Sequence, residues 1–214
     1  VALERGKTFG LVGNSGCGKT TLSRMITRVL KPSGGRIRFE GEDIARLDRK
    51  GSRTYHRRVQ IIFQNPEASL DPSMRIRDSL LEAMAIHRLG ESREERMEKI
   101  RAALGQVGLP NPELVAKRYP HTMSGGQRQR VMIAMAMACN PKILFADEPT
   151  TALDVTIQAQ VLSLMKDLIV NNHMSMLLIT HDLGVVAETC DDVAVVYAGR
   201  IVEVGSADDV FNHT

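Results

Sequence analysis

Gly13-Asn14-Ser15-Gly16-Cys17-Gly18-Lys19-Thr20 is the stretch that most restricts what this chain can become. It has the pattern G-x-x-x-x-G-K-[ST]. It lies between an apolar run, TFGLV at 8–12, and a helical stripe of Leu22, Met25, Ile26, Val29 and Leu30. Strand, glycine loop and helix, in that order, is the context in which the pattern holds phosphate. The glycines let consecutive backbone N–H groups turn inward around an anion. The helix, expected over 19–30, adds the positive end of its dipole. Lys19 is expected to reach the terminal phosphates, and the Thr20 hydroxyl to bind Mg²⁺. The other loop residues, with Thr21, complete the expected cradle. Cys17 is expected to be a small filler rather than a nucleophile.

Such a loop needs a sheet behind it, and the sequence supplies candidate strands. RIRF at 36–39 alternates, and VQIIF at 59–63, KILFA at 142–146 and MLLIT at 176–180 are short apolar runs. VAVVY at 193–197 and IVEV at 201–204 flank Gly199-Arg200, as the strands of a closing hairpin would. Ile157, Val161, Leu164, Met165 and Leu168 form a helical stripe between two of the runs. Strand–helix alternation predicts an α/β fold with a mainly parallel sheet. Between 74 and 123 the texture turns helical, with patterns at 79–89 and 92–107, and this segment is expected to be a helical insertion. The expected organisation is one domain over 1–214, with 1–73 and 124–214 as the catalytic core.

Composition removes several function classes. With 214 residues, 43% hydrophobic and 25% charged, the chain can build a substantial core. A net charge of +3, with no massed basic run beyond Arg57-Arg58 and Gln127-Arg128-Gln129-Arg130, argues against nucleic acid as a partner. Three cysteines without C-x-x-C spacing and six scattered histidines speak against a disulfide framework or a zinc site, and fit a reducing compartment. No apolar run approaches the roughly 18 residues that span a bilayer. The start at Val1-Ala2-Leu3-Glu4, without Met or a signal-like segment, suggests an excised domain.

The remaining chemistry gathers at strand ends. ILFAD at 143–147 closes on Asp147, which is placed to hold Mg²⁺, and Glu148 follows where it can polarise an attacking water. Phosphoryl transfer needs little covalent help, so orienting water and neutralising charge is most of the catalysis. Gln64 follows the 59–63 run and His181 follows the 176–180 run, at the strand ends where open α/β sheets bind ligands. Gln64 suits Mg²⁺ or the attacking water, and His181 suits a hydrogen bond to a phosphate. Far from the first glycine loop lies a second, Met123-Ser124-Gly125-Gly126-Gln127, which has no lysine. Ser124 is expected to N-cap a helix through Val131, Ile133 and Met135, leaving N–H groups open to an anion.

The phosphate loop, Gln64, MSGGQ, ILFADEP, Ala152-Leu153-Asp154 and LLITHD together resemble the nucleotide-binding domain of ABC transporters, over essentially the whole chain. Both glycine motifs arising by chance is on the order of 10⁻⁵ at average composition, so the resemblance is specific. NPEASLDPSMRI and the long run from QRQRV to QAQVL resemble the peptide/nickel importer group in particular. The resemblance implies a P-loop ATPase core with a small antiparallel β part and a helical insertion, binding ATP and Mg²⁺. Lys19 and its loop would bind phosphates, and Thr20, Gln64 and Asp147 would attend the metal. Glu148 would be the catalytic carboxylate, His181 the switch histidine and Asp154 an acid near the nucleotide. Ser124, Gly125, Gly126 and Gln127 would contact the γ-phosphate held by an opposite subunit.

The implied function is ATP hydrolysis that powers an importer of peptides, nickel or metal chelates at the cytoplasmic face of the membrane. Permease subunits, a second ATPase subunit and, indirectly, a substrate-binding protein are the implied partners, with residues 64–89 meeting the permease. Members of this group also carry an adenine-stacking aromatic before the phosphate loop and a C-terminal extension. Here the chain starts after the one and ends at Asn212-His213-Thr214. An ABC-type ATPase of DNA maintenance or translation is the alternative, and would require long coiled coils or two fused ATPase domains. A regulatory nucleotide-binding module without turnover is a third reading, disfavoured by Lys19, Glu148 and His181. Met132, Met135 and Met137 are expected to pack a buried helix rather than bind metal.

Overall fold

The structure, a computed structural model, describes residues 1–212, the side chains of Glu67 and Asn212 excepted. The expectation about the chain end at His213 and Thr214 lies outside these residues. In chain order the elements are β1 (Thr8–Gly13), α1 (Lys19–Ile26), β2 (Arg38–Phe39), β3 (Glu42–Asp43), α2 (Arg49–Arg58) and β4 (Val59–Ile62). Five helices follow: α3 (Pro66–Ser69), α4 (Ile76–Ile86), α5 (Arg93–Gln106), α6 (Pro112–Lys117) and α7 (Gly125–Met137). The chain continues with β5 (Ile143–Asp147), α8 (Val155–Asn171), β6 (Ser175–Thr180) and α9 (Leu183–Thr189). It closes with β7 (Asp192–Tyr197), β8 (Arg200–Ser206) and α10 (Ala207–Asn212).

These elements fall into two compact units. The first comprises Val1–Ile61, Lys142–Glu148 and the residues from Ser175 onward. The second comprises Ile62–Pro141 and Pro149–Met174. The second unit takes in the whole 74–123 segment and extends past it on both sides.

The first unit is organised by a sheet of order β4-β5-β6-β1-β7-β8. The β1–β6, β1–β7 and β5–β6 pairs are parallel, and β8 returns antiparallel to β7. Ala198 (φ 46°) and Gly199 (φ 77°) make the tight turn of that hairpin. A separate two-stranded antiparallel ribbon joins β2 to β3. The mainly parallel sheet with a small antiparallel part is the expected fold class.

The pleat sends Phe9 and Leu11 to one side of β1, where they meet Phe145, Ile179, Ala194 and Val196, with Leu22 and Ile26 of α1 packed on top. Burial of each large side chain stabilises by about 1.5–3 kcal/mol. The opposite side is closed by α9, which comes so near that a Cβ on Gly10 would lie 2.7 Å from Val186 Cγ1.

Register fixes the functional end. Val12 pairs with Thr180, Gly13 with Val196 and Asp147 with Ile179. The carboxyl ends of β1, β5 and β6 therefore lie side by side, and whatever follows each strand is delivered to one edge.

The helix expected over 19–30 stops at Ile26. Thr27 Oγ1 donates to the Ser23 carbonyl at 2.9 Å, and Arg28 turns left-handed at φ 60°. Val29 and Leu30 are exposed rather than part of the stripe. Conversely, α2 was not legible: RKGSRTYHRR is polar nearly all round and buries only Tyr55. Its N-cap, Asp48, accepts from the Gly51 N–H at 2.6 Å and was the one local sign.

The second unit is helical. Ile76, Leu80, Met84, Ile100, Leu104, Val131 and Ile133 are fully buried in it. Helix α5 starts at Ser92, whose hydroxyl accepts from the Glu95 N–H at 3.1 Å. Met132 and Met137 are buried on α7, in keeping with packing.

Candidate functional site

The loop between β1 and α1 is built around three glycines that tolerate no ordinary replacement. A Cβ on Gly13 would stand 2.2 Å from the Val196 carbonyl oxygen and 2.8 Å from Cys17 Sγ. Gly16 and Gly18 sit at φ 78° and 110°, in the left-handed region that favours glycine. The Cys17 N–H donates to Asn14 O at 3.2 Å, and the Cys17 carbonyl accepts from Gly199 N–H at 2.9 Å, which ties the loop to the β7–β8 turn. Cys17 is buried against the core, as a filler would be.

Lys19 opens α1 and folds back into this loop. It is 6% exposed, and its ammonium donates to the carbonyls of Gly13 (2.5 Å) and Asn14 (3.0 Å), with Cys17 Sγ at 3.8 Å. A buried ammonium held by carbonyl dipoles, beside the N-terminus of a helix, favours an anion next to it. Asn14, Ser15, Gly16, Thr20 and Thr21 are exposed around it. The cradle therefore fits a phosphate chain: small, concave in backbone, positive within and open without.

Asp147 ends β5 at the same sheet edge. Burial pushes its carboxyl above the usual carboxylate range. A hydrogen bond with Ser23 opposes this, the neighbouring Glu148 charge adds to it, and the charges of Lys19 and Arg24 pull it back. A half-buried carboxyl at the sheet edge suits a hard cation, whose charge would offset the cost of burying it, and the Thr20 hydroxyl is exposed on the adjoining helix. Ser23 was missed in the sequence. It lies one helical turn beyond Lys19 and is 3% exposed, and that i,i+4 relation was the only signal.

Glu148 follows in a strained conformation. Its φ is 48°, unusual for a non-glycine residue, and its N–H donates to the Ile179 carbonyl at 2.8 Å. This bond carries the β5–β6 ladder one step past the strand and fixes where the side chain starts. Glu148 Oε1 then lies 3.4 Å from Nδ1 of His181, the residue just after β6. The His181 side chain is 56% exposed and that of Glu148 19%, so the histidine is open to solvent while the carboxylate beside it is largely covered. The first unit thus brings together the phosphate loop, Thr20, Asp147, Glu148 and His181.

The second unit holds the other expected residues. Ser124 caps α7: its hydroxyl accepts from Gln127 N–H at 3.3 Å, and Gln127 Oε1 accepts from Ser124 N–H at 3.2 Å. This reciprocal box leaves the first-turn N–H groups of Gly125 and Gly126 without an intrahelical partner. Gly126 is pressed by α8, where a Cβ would come within 2.7 Å of Ile157 Cγ2. A cavity of about 500 Å³ is lined by Gln64, Asn65, Pro66, Gly125, Arg128 and Thr151, among others, so Gln64 and the second glycine turn share one opening. Asp154 caps α8, accepting from Ile157 N–H at 3.0 Å, with Leu153 beside it on the cavity wall.

A phosphate cradle, a strand-end Asp-Glu and a following histidine on a mainly parallel sheet define a P-loop nucleotide-binding protein. This chain belongs to the ABC transporter family, whose model matches residues 1–151. It is 48% identical over 209 residues to a putative peptide import ATP-binding protein of Brucella ovis, covering 98% of this chain and 65% of that protein. It is 46% identical over 215 residues to the dipeptide transport ATP-binding protein DppD of Bacillus subtilis, covering 98% of this chain and 64% of that one. The chain thus spans somewhat less than two thirds of the length of these relatives. Among solved structures it is similar to a dimeric ATP-binding cassette in a post-hydrolysis state with ADP and Pi bound. That match has a TM-score of 0.83 and 27% identity, over 97% of this chain and 88% of the other.

Proposed function

We propose that this chain is the ATP-hydrolysing subunit of a membrane importer of peptides. The observation that carries the reading is the Glu148–His181 pair, 3.4 Å apart, on the same sheet edge as the Lys19 loop and Asp147. The loop amides and the Lys19 ammonium bind the phosphates of ATP. Thr20 and Asp147 are the groups suited to Mg²⁺, and Gln64 joins them on family resemblance. When bound, the ion supplies charge neutralisation on the phosphate oxygens. Glu148 orients a water and accepts its proton as the water oxygen attacks the γ-phosphorus. The bond to the bridging oxygen breaks, leaving ADP and phosphate. His181, when protonated, donates from Nδ1 to the Glu148 carboxylate and from its other ring nitrogen to a phosphate oxygen.

In this reading the turn at Ser124 serves a neighbour. It lacks a lysine because the nucleotide is retained by the Lys19 loop of an opposing subunit. Ser124 and the N–H groups of Gly125 and Gly126 complete that site, with Gln127 holding the serine and Asp154 close to the nucleotide. The dimeric form of the solved cassette supports this arrangement. The opposing subunit is a second copy or a related ATPase.

The relatives named for peptide import and dipeptide transport favour peptides over nickel or a metal chelate as cargo. Among the described residues no helix is long and apolar enough to cross a membrane. Transmembrane permease subunits would hold the chain at the cytoplasmic face, with residues 64–89 meeting them, and a substrate-binding protein would deliver cargo to the permease.

The test is phosphate release from ATP with and without Mg²⁺. Hydrolysis that needs Mg²⁺ and disappears in Lys19→Ala is expected. Stimulation by DNA or ribosomes but not by a permease would move the chain to the alternative class of ABC ATPases.

A further inference from the structure

Helix α4 begins after Arg75, a residue in the N-cap position whose side chain makes no capping bond. It is spent elsewhere. Arg75 Nε donates to the Tyr119 hydroxyl at 3.3 Å, 44 residues away, and its guanidinium carbon lies 5.6 Å from the centre of the Tyr119 ring. His121 also lies against that ring, stacked at 5.6 Å with an interplanar angle of 18°. One aromatic side chain is therefore held by a cation through both its hydroxyl and its π face, and is backed by a second ring. All three residues lie in the second unit.

Tyr119 occupies a short segment whose far end is the second glycine turn. The segment is pinned at its start, where Ile76 N–H donates to the Arg118 carbonyl at 2.9 Å. It then winds through one turn of 3₁₀ helix (Pro120–Thr122), with Met123 N–H donating to Pro120 O at 3.1 Å. The Thr122 hydroxyl donates to the Tyr119 carbonyl at 2.8 Å, and the Arg118 guanidinium donates to Thr122 O. Pro120 and Met123 are buried, and Ser124 comes next. Tyr119 and Ser124 are thus joined by a single tight turn whose Thr122 and Met123 N–H groups are both hydrogen-bonded within it, which couples the ring to the serine.

Arg75 is also reached from Gln64 through a segment with hydrogen bonds of its own. The Ser69 hydroxyl donates to Asn65 O at 2.9 Å, and Ser73 N–H donates to Asp71 Oδ1 at 2.8 Å. Gln64 and Gly125 line the same cavity of about 500 Å³. The Arg75–Tyr119 contact therefore closes a ring of structure: one arm runs from Gln64 to α4, the other from Tyr119 through Ser124 into α7.

We infer that Arg75 is a positioning residue for hydrolysis, holding the Ser124 turn in register through Tyr119. This rests on the proposal that Ser124 completes an ATP site on an opposing subunit. Arg75 and Tyr119 are not among the residues that line the cavity shared by Gln64 and Gly125. Their contribution is the placement of a hydroxyl and two N–H groups that must meet a phosphate within a few tenths of an ångström.

The test uses the 214-residue chain, in parent form and as Arg75→Ala, Arg75→Lys, Tyr119→Phe and Lys19→Ala. Three readings are taken on each: hydrolysis at saturating ATP, affinity for a fluorescent ATP analogue, and melting temperature. Arg75→Ala is expected to lower the maximal rate roughly tenfold, inside the ~100-fold that a 1 Å misplacement can cost. Its nucleotide affinity should stay at the parent value, since the Lys19 loop is untouched. Arg75→Lys keeps a cation over the ring and Tyr119→Phe keeps the ring itself, so each should recover part of the rate. A parent rate in Arg75→Ala, or a rate that falls only in step with melting temperature and affinity, overturns the inference and leaves the ATPase reading standing. Absence of Lys19-dependent hydrolysis in the parent overturns both.

Discussion

His181 Nδ1 lies 3.4 Å from Glu148 Oε1, and the chain reaches this contact through a left-handed Glu148 at φ 48°. The two facts belong together. A glutamate that continued the β5 strand in extended conformation would carry its side chain past the sheet edge. The left-handed step turns it toward the residue after β6.

Holding a non-glycine residue in that region costs roughly 1–3 kcal/mol. Glu148→Gly is therefore expected to raise the unfolding free energy by about 0.5–1 kcal/mol, net of the added freedom of the unfolded chain. Turnover should be abolished at the same time. Chemical denaturation alongside an ATPase assay checks the pair of outcomes.

Asp147 has a carboxyl pushed above the ordinary carboxylate pKa, chiefly by burial. The folded state then holds this proton more tightly than the unfolded state. Between the unfolded pKa near 3.8 and the raised folded value, stability falls as pH rises, and the loss persists at neutral pH. Asp147→Asn removes that loss. Without nucleotide or metal, the variant should melt higher than the parent at pH 7, and the gap should close as pH falls below the unfolded value.

Tyr55 is 4% exposed and donates its hydroxyl to the carbonyl of Ile26, the last residue of α1, at 2.8 Å. Burial raises its phenol pKa from 10.0 to about 12. The unfolded chain ionises first, so stability should decline from pH 10 upward and keep declining until about pH 12. Tyr55→Phe is expected to cost about 1 kcal/mol at pH 7, the worth of one hydrogen bond. It should also flatten the alkaline limb of a stability–pH curve.

Gly13→Ala places a methyl 2.2 Å from the Val196 carbonyl oxygen, where the neighbour is backbone and has no rotamer to yield. Destabilisation of about 2–3 kcal/mol is expected. Gly34→Ala, whose new methyl meets nothing within 4 Å, is the matched control and should change stability little. Equilibrium unfolding of both variants makes the comparison.

The phosphate loop was legible because its geometry is local: eight consecutive residues carry the turn, the lysine and the helix start. Glu148 and His181 were legible for a related reason, since each directly follows an apolar run and parallel register brings such ends together. Ser23 was not, because its bond to Asp147 depends on the rotation of α1 against β5, which no periodicity records. Residues 49–58 gave no helical signal because a helix that buries one tyrosine has no stripe. The end of α1 was overextended because Val29 and Leu30 fit the spacing, while Arg28, which ends the helix, carries no glycine or proline to mark it. The Arg75–Tyr119 contact joins positions 44 residues apart and exists only once α4 and the segment before α7 are packed.

Two roles are proposed, Glu148 as the driver of hydrolysis and the Ser124 turn as part of an opposing subunit's site. Sedimentation of Glu148→Gln with ATP and Mg²⁺, paired with a phosphate-release assay, tests both parts at once. The variant is expected to bind ATP, shift to a stable dimer, and hydrolyse at least ~100-fold more slowly than the parent, the scale of a lost general base. A variant that stays monomeric with ATP and Mg²⁺ and hydrolyses at the parent rate would contradict it.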